Sequence, residues 1–232
     1  MENDQFQRAL QFRLLLDMRR NMKFCECGTR LGPLLHHGYC CPLLSVRNKI
    51  RNSAHRSLAF GFRKMFADFI NAKQLNSTIL KSEPHLKDYF VLKDERINLQ
   101  TVKTRGDITW SNDVNSIIFD VSTTESTASH NYTVGSAGSI YLKKKIYQYI
   151  HWDVNANGNK LEMLITETFC TIPKETRDLL TDLVKEKTEG NMKEYNYFIK
   201  QFFERLSVLM QNIRASAYWK LYNFHWFQRY LV

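Results

Sequence analysis

The chain has 232 residues, 44% hydrophobic and 24% charged, with nine glycines and four prolines. That composition excludes a largely disordered or fibrous protein and allows one substantial core with a small attachment, but hardly two full-sized domains. The formal charge of +10 calls for a polyanionic partner, nucleic acid ahead of acidic lipid, because no window approaches the roughly 18 consecutive apolar residues of a membrane span. The start, Met1–Asp4, lacks a secretory n-region, so a soluble, intracellular and nuclear protein is expected.

In chain order, Phe6 to Met18 sets apolar residues among arginines and glutamines, compatible with an amphipathic helix. Phe24 to Pro42 is rich in Cys, His, Gly and Pro and reads as loops and tight turns with too little apolar surface to fold unaided. Four of the five cysteines fall there, which in an intracellular chain favours metal over disulfides. A structural zinc needs four N or S ligands, and Cys25, Cys27, one of His36 and His37, and one of Cys40 and Cys41 meet that number. The pairs His36/Cys40 and His37/Cys41 have the same spacing. Cys25, Cys27, His36 and Cys40 form one such set, with Cys41 the alternative. Arg47, Lys49, Arg51, His55 and Arg56 follow at once, a density of cations suited to a phosphate backbone.

From Ser53, a candidate N-cap, to Lys73 the apolar residues Leu58, Phe62, Met65, Phe66, Phe69 and Ile70 recur at helical steps. Polar sequence runs to Pro84, and Tyr89–Leu92 and Ile97–Val102 are strand-like. Gly106–Trp110, a polar turn at Ser111–Asn115 and the β-rich run Ser116–Ser122 predict an antiparallel hairpin. A Ser/Thr-rich loop, Thr123–Thr133, leads to a helical stretch over Val134–Trp152 and a buried strand at Leu161–Thr168, with Cys170 buried beside it. Helices are expected at Lys174–Lys187 and Lys193–Tyr218, and the aromatic tail through Tyr230 suits core or interface packing. The order is a mixed α/β layout, a small sheet flanked by helices. We divide it into an N-terminal helix and Cys/His zinc module over residues 1–52 and a core with a C-terminal helical extension over 53–232.

The hairpin carries the chemistry. Asp107 opens one strand and Asp120 lies near the end of the next, so a hairpin of this size can bring both carboxylates to one end of the sheet. Magnesium binds through one or two carboxylates while keeping waters and gripping substrate phosphate. A nearby lysine would stabilise the charge that builds on a pentavalent phosphate. Glu125, Glu167 and Asp68 are secondary acids.

Arg105-Gly106-Asp107-Ile108, Asp120-Val121-Ser122 and Tyr141-Leu142-Lys143-Lys144-Lys145-Ile146-Tyr147 together resemble the PD-(D/E)xK pattern of the restriction-like endonuclease domains of site-specific non-LTR retrotransposons. In that form the lysine sits on the following helix rather than on the strand, and Ser122 stands where the orthodox lysine would be. Phe6 to Cys27, followed by His36 or His37, Cys40 or Cys41, and Arg51 with His55, is similar to the Cys-Cys-His-Cys module that precedes such domains, and Thr166-Glu167-Thr168 and Arg205-Leu206-Ser207-Val208 with Gln211 and Arg214 resemble the closing strand and terminal helix. Gly106 replaces the usual proline, at a position expected to need a turn conformation rather than a side chain.

The resemblance implies a restriction-endonuclease-like fold with a zinc-knuckle-like entrance and a Mg²⁺- or Mn²⁺-dependent endonuclease acting on DNA. Asp107 and Asp120 would be the metal ligands and a lysine the catalytic cation. Adjacent helical residues point about 100° apart, so one lysine of the run faces the acids. We take Lys144 as that residue and give Lys143, Lys145 and Arg105, with Arg47, Lys49, Arg51 and Arg56, to nucleic-acid contact. The competing expectations are a non-catalytic nucleic-acid-binding or scaffold subunit, or a nuclease acting on RNA. A homodimer would let two sites cut two strands.

Overall fold

The computed structural model describes residues 25, 27–29, 41–75, 78–100, 102–112, 114–124, 142–143, 145–154, 156–167 and 172–229, with backbone alone at 46, 47, 49, 50, 156 and 214–229. Among these residues the chain is mixed α/β, with three long α-helices, a four-stranded mixed sheet and a two-stranded ribbon. It divides into two units, Met1–Leu58 with Ser207–Val232, and Ala59–Leu206.

The second unit holds the sheet. Its strands are β1 (Ile79–Ser82), β3 (Ile108–Ser111), β4 (Ser116–Thr124) and β6 (Lys160–Glu167), in the order β1-β3-β4-β6. β1 pairs with β3 and β3 with β4 in antiparallel fashion, whereas β4 and β6 run parallel. The β3–β4 turn closes on Asn112, whose side-chain oxygen accepts from the backbone N–H groups of Val114 at 3.0 Å and Asn115 at 2.8 Å, the local bonding that makes Asn a turn residue. A parallel pair cannot be joined by a tight turn, so the chain must cross over between β4 and β6. The described part of that crossover contains helical residues 142–143 and 145–146, a 3-10 turn at Tyr147–Tyr149, and β5 (Trp152–Asp153), which pairs with β2 (Val91–Leu92).

Strand alternation sorts β4 into two faces. Phe119 faces helix α1 (Leu44–Ala72), where its ring and that of Trp110 lie 5.1 and 5.4 Å from Phe66. Helix α3 (Met192–Arg229) adds Phe202, 6.0 Å from Phe66, and Phe198, edge-on to Phe69 at 4.9 Å. The other face carries Ile118 and Asp120, and here Ile118, Met163 and Ile165 pack with Leu86, Phe90, Tyr149 and Trp152. Helix α2 (Lys174–Lys187) docks on β6 through Thr176, whose hydroxyl oxygen accepts from Ile165 N at 3.0 Å while the hydroxyl donates to Met163 O at 3.4 Å.

The first unit contributes buried Cys25, Cys41, Ala54, Leu58, Met210 and Ile213. It includes a tight turn in which Gly28 N donates to Cys25 O and Cys25 N to Thr29 O, both at 2.9 Å, with Gly28 at φ 79°. That left-handed conformation suits glycine, which has no Cβ to clash.

Several elements differ from expectation. Helix α1 begins at Leu44, so Ser53 is interior rather than a cap; Leu44, Ser45, Asn48, Arg51 and Asn52 in its first turns are exposed. β1 falls in sequence that reads as polar, because it is an edge strand with Ile79, Lys81 and Ser82 exposed. The strand expected at Ile97–Val102 does not form among its described residues. Asp94 accepts from the backbone N–H and guanidinium of Arg96, and Asn98 from Gln100 N, side-chain bonds that compete with a strand ladder. Within the helix expected over Val134–Trp152, the described residues are helical from 142 and leave the helix after Tyr149. α3 continues to Arg229, beyond the expected end at Tyr218. The helix expected at Phe6–Met18, the loop Thr123–Thr133 beyond Thr124, and Cys170 lie outside the described residues.

Candidate active site

Asp120 is a fully buried acid, at 0% exposure. An ionised carboxylate at such a place costs several kcal/mol unless neighbouring charges and donors replace its water. Three groups do so. Lys103 Nζ lies 2.9 Å from Oδ2, Lys145 Nζ lies 3.3 Å from Oδ1 and 3.2 Å from Oδ2, and Tyr149 donates its phenolic hydrogen to Oδ2 at 2.6 Å. The Lys103 ammonium also stands 5.2 Å from the centroid of the Tyr149 ring, within cation–π range. Burial above all, then the Asp120 charge and hydrogen bond and the Asp107 charge, hold the Tyr149 phenol far above its ordinary range, so it remains a neutral donor.

Asp107 is fixed by the strands on either side. Its N–H donates to Phe119 O at 2.8 Å and its carbonyl accepts from Glu83 N at 3.0 Å. The β3–β4 register ends at Ile108–Phe119, and one step beyond it the Asp107 carboxylate itself accepts from Val121 N, at 2.6 Å. Carboxylate oxygens of Asp107 and Asp120 lie within 4.8 Å of one another. A magnesium ion with ligands at about 2.1 Å spans up to about 4.2 Å between two of them, so the pair suits one hard cation with little adjustment.

Gly106 sets this approach for a reason other than the expected turn conformation. A Cβ built there would meet Ile118 Cγ2 at 2.4 Å, so what the position lacks is space for a side chain.

Two lysines of the run are described, and they differ in exposure. Lys143 is exposed, Lys145 is 9% exposed and ion-paired to Asp120, and Lys144 lies outside the described residues. Lys145 therefore departs from the solvated, nucleic-acid-facing role expected for it. Its partner in position is Tyr149, four residues on and so on the same helical face, and both reach one carboxylate. The sequence holds a second pair at this spacing, Lys143 and Tyr147, but Tyr147 is 71% exposed. Lys103 carries no signal in the sequence: it lies in a loop four residues before Asp107 with no motif around it. The loop is held by Trp152 Nε1, which donates to Lys103 O at 2.8 Å.

The secondary acids lie apart from this cluster. Glu167 is buried at the end of β6 but pairs with Thr124, four residues along from the Asp120–Met163 level, or roughly 13 Å at strand rise. Asp68 is ion-paired to Arg205 at 2.6 Å, and Glu125 lies outside the described residues. Among the remaining cations Arg51, Arg56 and Arg105 are exposed, and Arg47 and Lys49 lie on α1.

In the first unit the thiols of Cys25, Cys27 and Cys41 come within 4.8 Å of one another, with Cys25 and Cys41 Sγ 3.6 Å apart. A tetrahedral zinc with Zn–S bonds of about 2.3 Å separates its sulfurs by about 3.8 Å, so this donor set suits the ion. Burial pushes the Cys41 thiol up to about 12 and raises that of Cys25. Of the expected ligand set, His36 and Cys40 lie outside the described residues, as does His37.

A scan against protein-family models finds no match, and a search of the curated proteins finds none. No helix among the described residues is long and apolar enough to cross a membrane.

Proposed function

We propose that this chain is a metal-dependent endonuclease of the restriction-like PD-(D/E)xK type, hydrolysing phosphodiester bonds in DNA and derived from, or part of, a mobile element of the retrotransposon kind. The observation that carries the reading is the convergence of two hairpin carboxylates, Asp107 and Asp120, with one lysine of the run, Lys145. The small mixed sheet flanked by helices agrees with the architecture the sequence resemblance implies.

In this reading Asp107 and Asp120 hold Mg²⁺ or Mn²⁺, which when bound supplies an activated water and polarises the scissile phosphate. Lys145 would offer its ammonium to the negative charge that builds on the phosphate, and Tyr149, which donates to Asp120, would hold the orientation of that carboxylate. The cations Arg105 and Lys143, and in the first unit Arg51 and Arg56, supply exposed positive charge for a phosphate backbone. Zinc on Cys25, Cys27 and Cys41 with a fourth ligand would be structural. A homodimer would let two such sites cut two strands, and a place in a larger nucleoprotein complex in the nucleus is the alternative setting for the same activity.

A second reading, a non-catalytic DNA-binding or scaffold subunit, is favoured by one observation: Lys103 and Lys145 already balance the Asp120 charge within the protein. Nicking of supercoiled plasmid and cutting of single-stranded DNA and RNA with Mg²⁺ or Mn²⁺ separates the two. Asp107→Asn is the cleaner probe because the amide oxygen can still accept from Val121 N, whereas Asp120→Ala strands two ammoniums. The nuclease reading expects a loss of about 10²-fold or more in Asp107→Asn with folding unchanged. A wild type that binds DNA and cuts none of these substrates, or a variant that cuts as well as the wild type, overturns it.

A further inference from the structure

Lys103 has no place in the reading above, yet it makes the shortest ion pair to the buried carboxylate, 2.9 Å from Asp120 Oδ2. Resting on that reading, we propose that Lys103 is a built-in competitor for the divalent cation: its ammonium holds Asp120 until a cation takes its place.

The argument is one of charge and exit. Two ammoniums already stand at Asp120, and its Oδ2 receives Lys103, Lys145 and the Tyr149 hydroxyl. A divalent ion at the Asp107–Asp120 pair would add two positive charges beside the two ammoniums already at a wholly buried carboxylate, a repulsion that low local polarity magnifies. One ammonium has to move. Lys145 is the poorer candidate, since its side chain is 11% exposed and it sits on a helical segment. The Lys103 side chain is 28% exposed and extends from a loop, so its Nζ can swing to water while its backbone stays tied by Trp152. The face of the Tyr149 ring, 5.2 Å from Nζ, offers it a neighbouring resting place at little cost. Lys103 thus keeps Asp120 compensated in the metal-free protein and sets how much cation is needed to load the site.

Mn²⁺ binding, read as loss of the free-ion paramagnetic resonance signal, tests this apart from activity, with binding at the acid pair defined as the part lost in Asp107→Asn. Lys103→Met removes the competitor, and roughly three- to tenfold tighter Mn²⁺ binding is expected, the range for deleting one partly buried ion-pair rival. Its melting temperature should fall in chelator and recover more on Mn²⁺ addition than that of the wild type. A merely structural lysine would lower the melting temperature alike with and without Mn²⁺ and leave the affinity unchanged, and that result overturns the proposal while the nuclease reading stands. Lys103→Arg keeps the charge in a less readily hydrated group and should weaken Mn²⁺ binding. If Lys103→Met does not fold, this variant decides, and unchanged or tighter binding overturns the proposal. If neither the wild type nor any folded Lys103 variant binds Mn²⁺ in an Asp107-dependent way, both readings fall.

Discussion

Tyr149 Oη donates to Asp120 Oδ2 at 2.6 Å, joining a ring that is 3% exposed to a carboxylate that is wholly buried. Hydrogen bonds to a charged group contribute about 1.5–3 kcal/mol, and Tyr149→Phe leaves the ring packing in place while removing this one. Urea unfolding should show a lower midpoint at unchanged slope. The pH dependence has a definite sign. The folded phenol titrates above the ordinary value of 10.0, so the protonated form is favoured by folding. Its stabilisation is complete below that value and is lost as pH rises beyond it. The stability gap between wild type and Tyr149→Phe should therefore narrow above pH 10, and a gap that widens there would contradict the bond.

Gly106 and Ile118 make the second relationship. With Ile118 Cγ2 only 2.4 Å from where a Cβ would stand, Gly106→Ala drives a methyl into a buried, β-branched side chain with little rotamer freedom. Overpacking of this kind costs about 1–3 kcal/mol. Because Gly106 precedes Asp107 and Ile118 lies two residues before Asp120, the shift falls on both acids. If the chain cleaves DNA as proposed, cleavage should drop beyond what the lost stability explains. The double variant Gly106→Ala/Ile118→Ala should be less destabilised than the sum of the singles by about 1 kcal/mol, the mark of two residues competing for one space.

The hairpin was legible because Ile117, Ile118 and Phe119 form a β-rich run bounded by turn residues, and α2 because its apolar positions recur at helical steps. β1 was not, since an exposed edge strand has no apolar face to pattern. The acids could be found from their places at the ends of neighbouring strands. The pairing of Lys145 could not, because Lys143, Lys144 and Lys145 are chemically alike, and what carries Lys145 to Asp120 is the packing of Tyr149, four residues on, with Ile118 and Trp152. Lys103 had no signal at all. Its role depends on a loop held by Trp152, a contact across 49 residues that no local pattern encodes.

The cysteines give a prediction that separates Cys40 from Cys41, which sequence spacing leaves open. Cys25 and Cys41 Sγ stand 3.6 Å apart, close to the edge of a zinc–thiolate tetrahedron, and Cys27 completes a triangle of thiols within 4.8 Å. Protein prepared without chelator should carry one zinc per chain by native mass spectrometry. Cys41→Ser should lose the ion, while Cys40→Ser should retain it. Removing zinc should also make the thiols of Cys25, Cys27 and Cys41 reactive to a thiol reagent and lower the melting temperature, because ion binding and folding of such a turn are one equilibrium. Zinc retained in Cys41→Ser and lost in Cys40→Ser would mean that the neighbouring cysteine is the ligand. The contact of Cys41 with Cys25 would then be packing of two buried thiols, and its substitution would change stability without changing metal content.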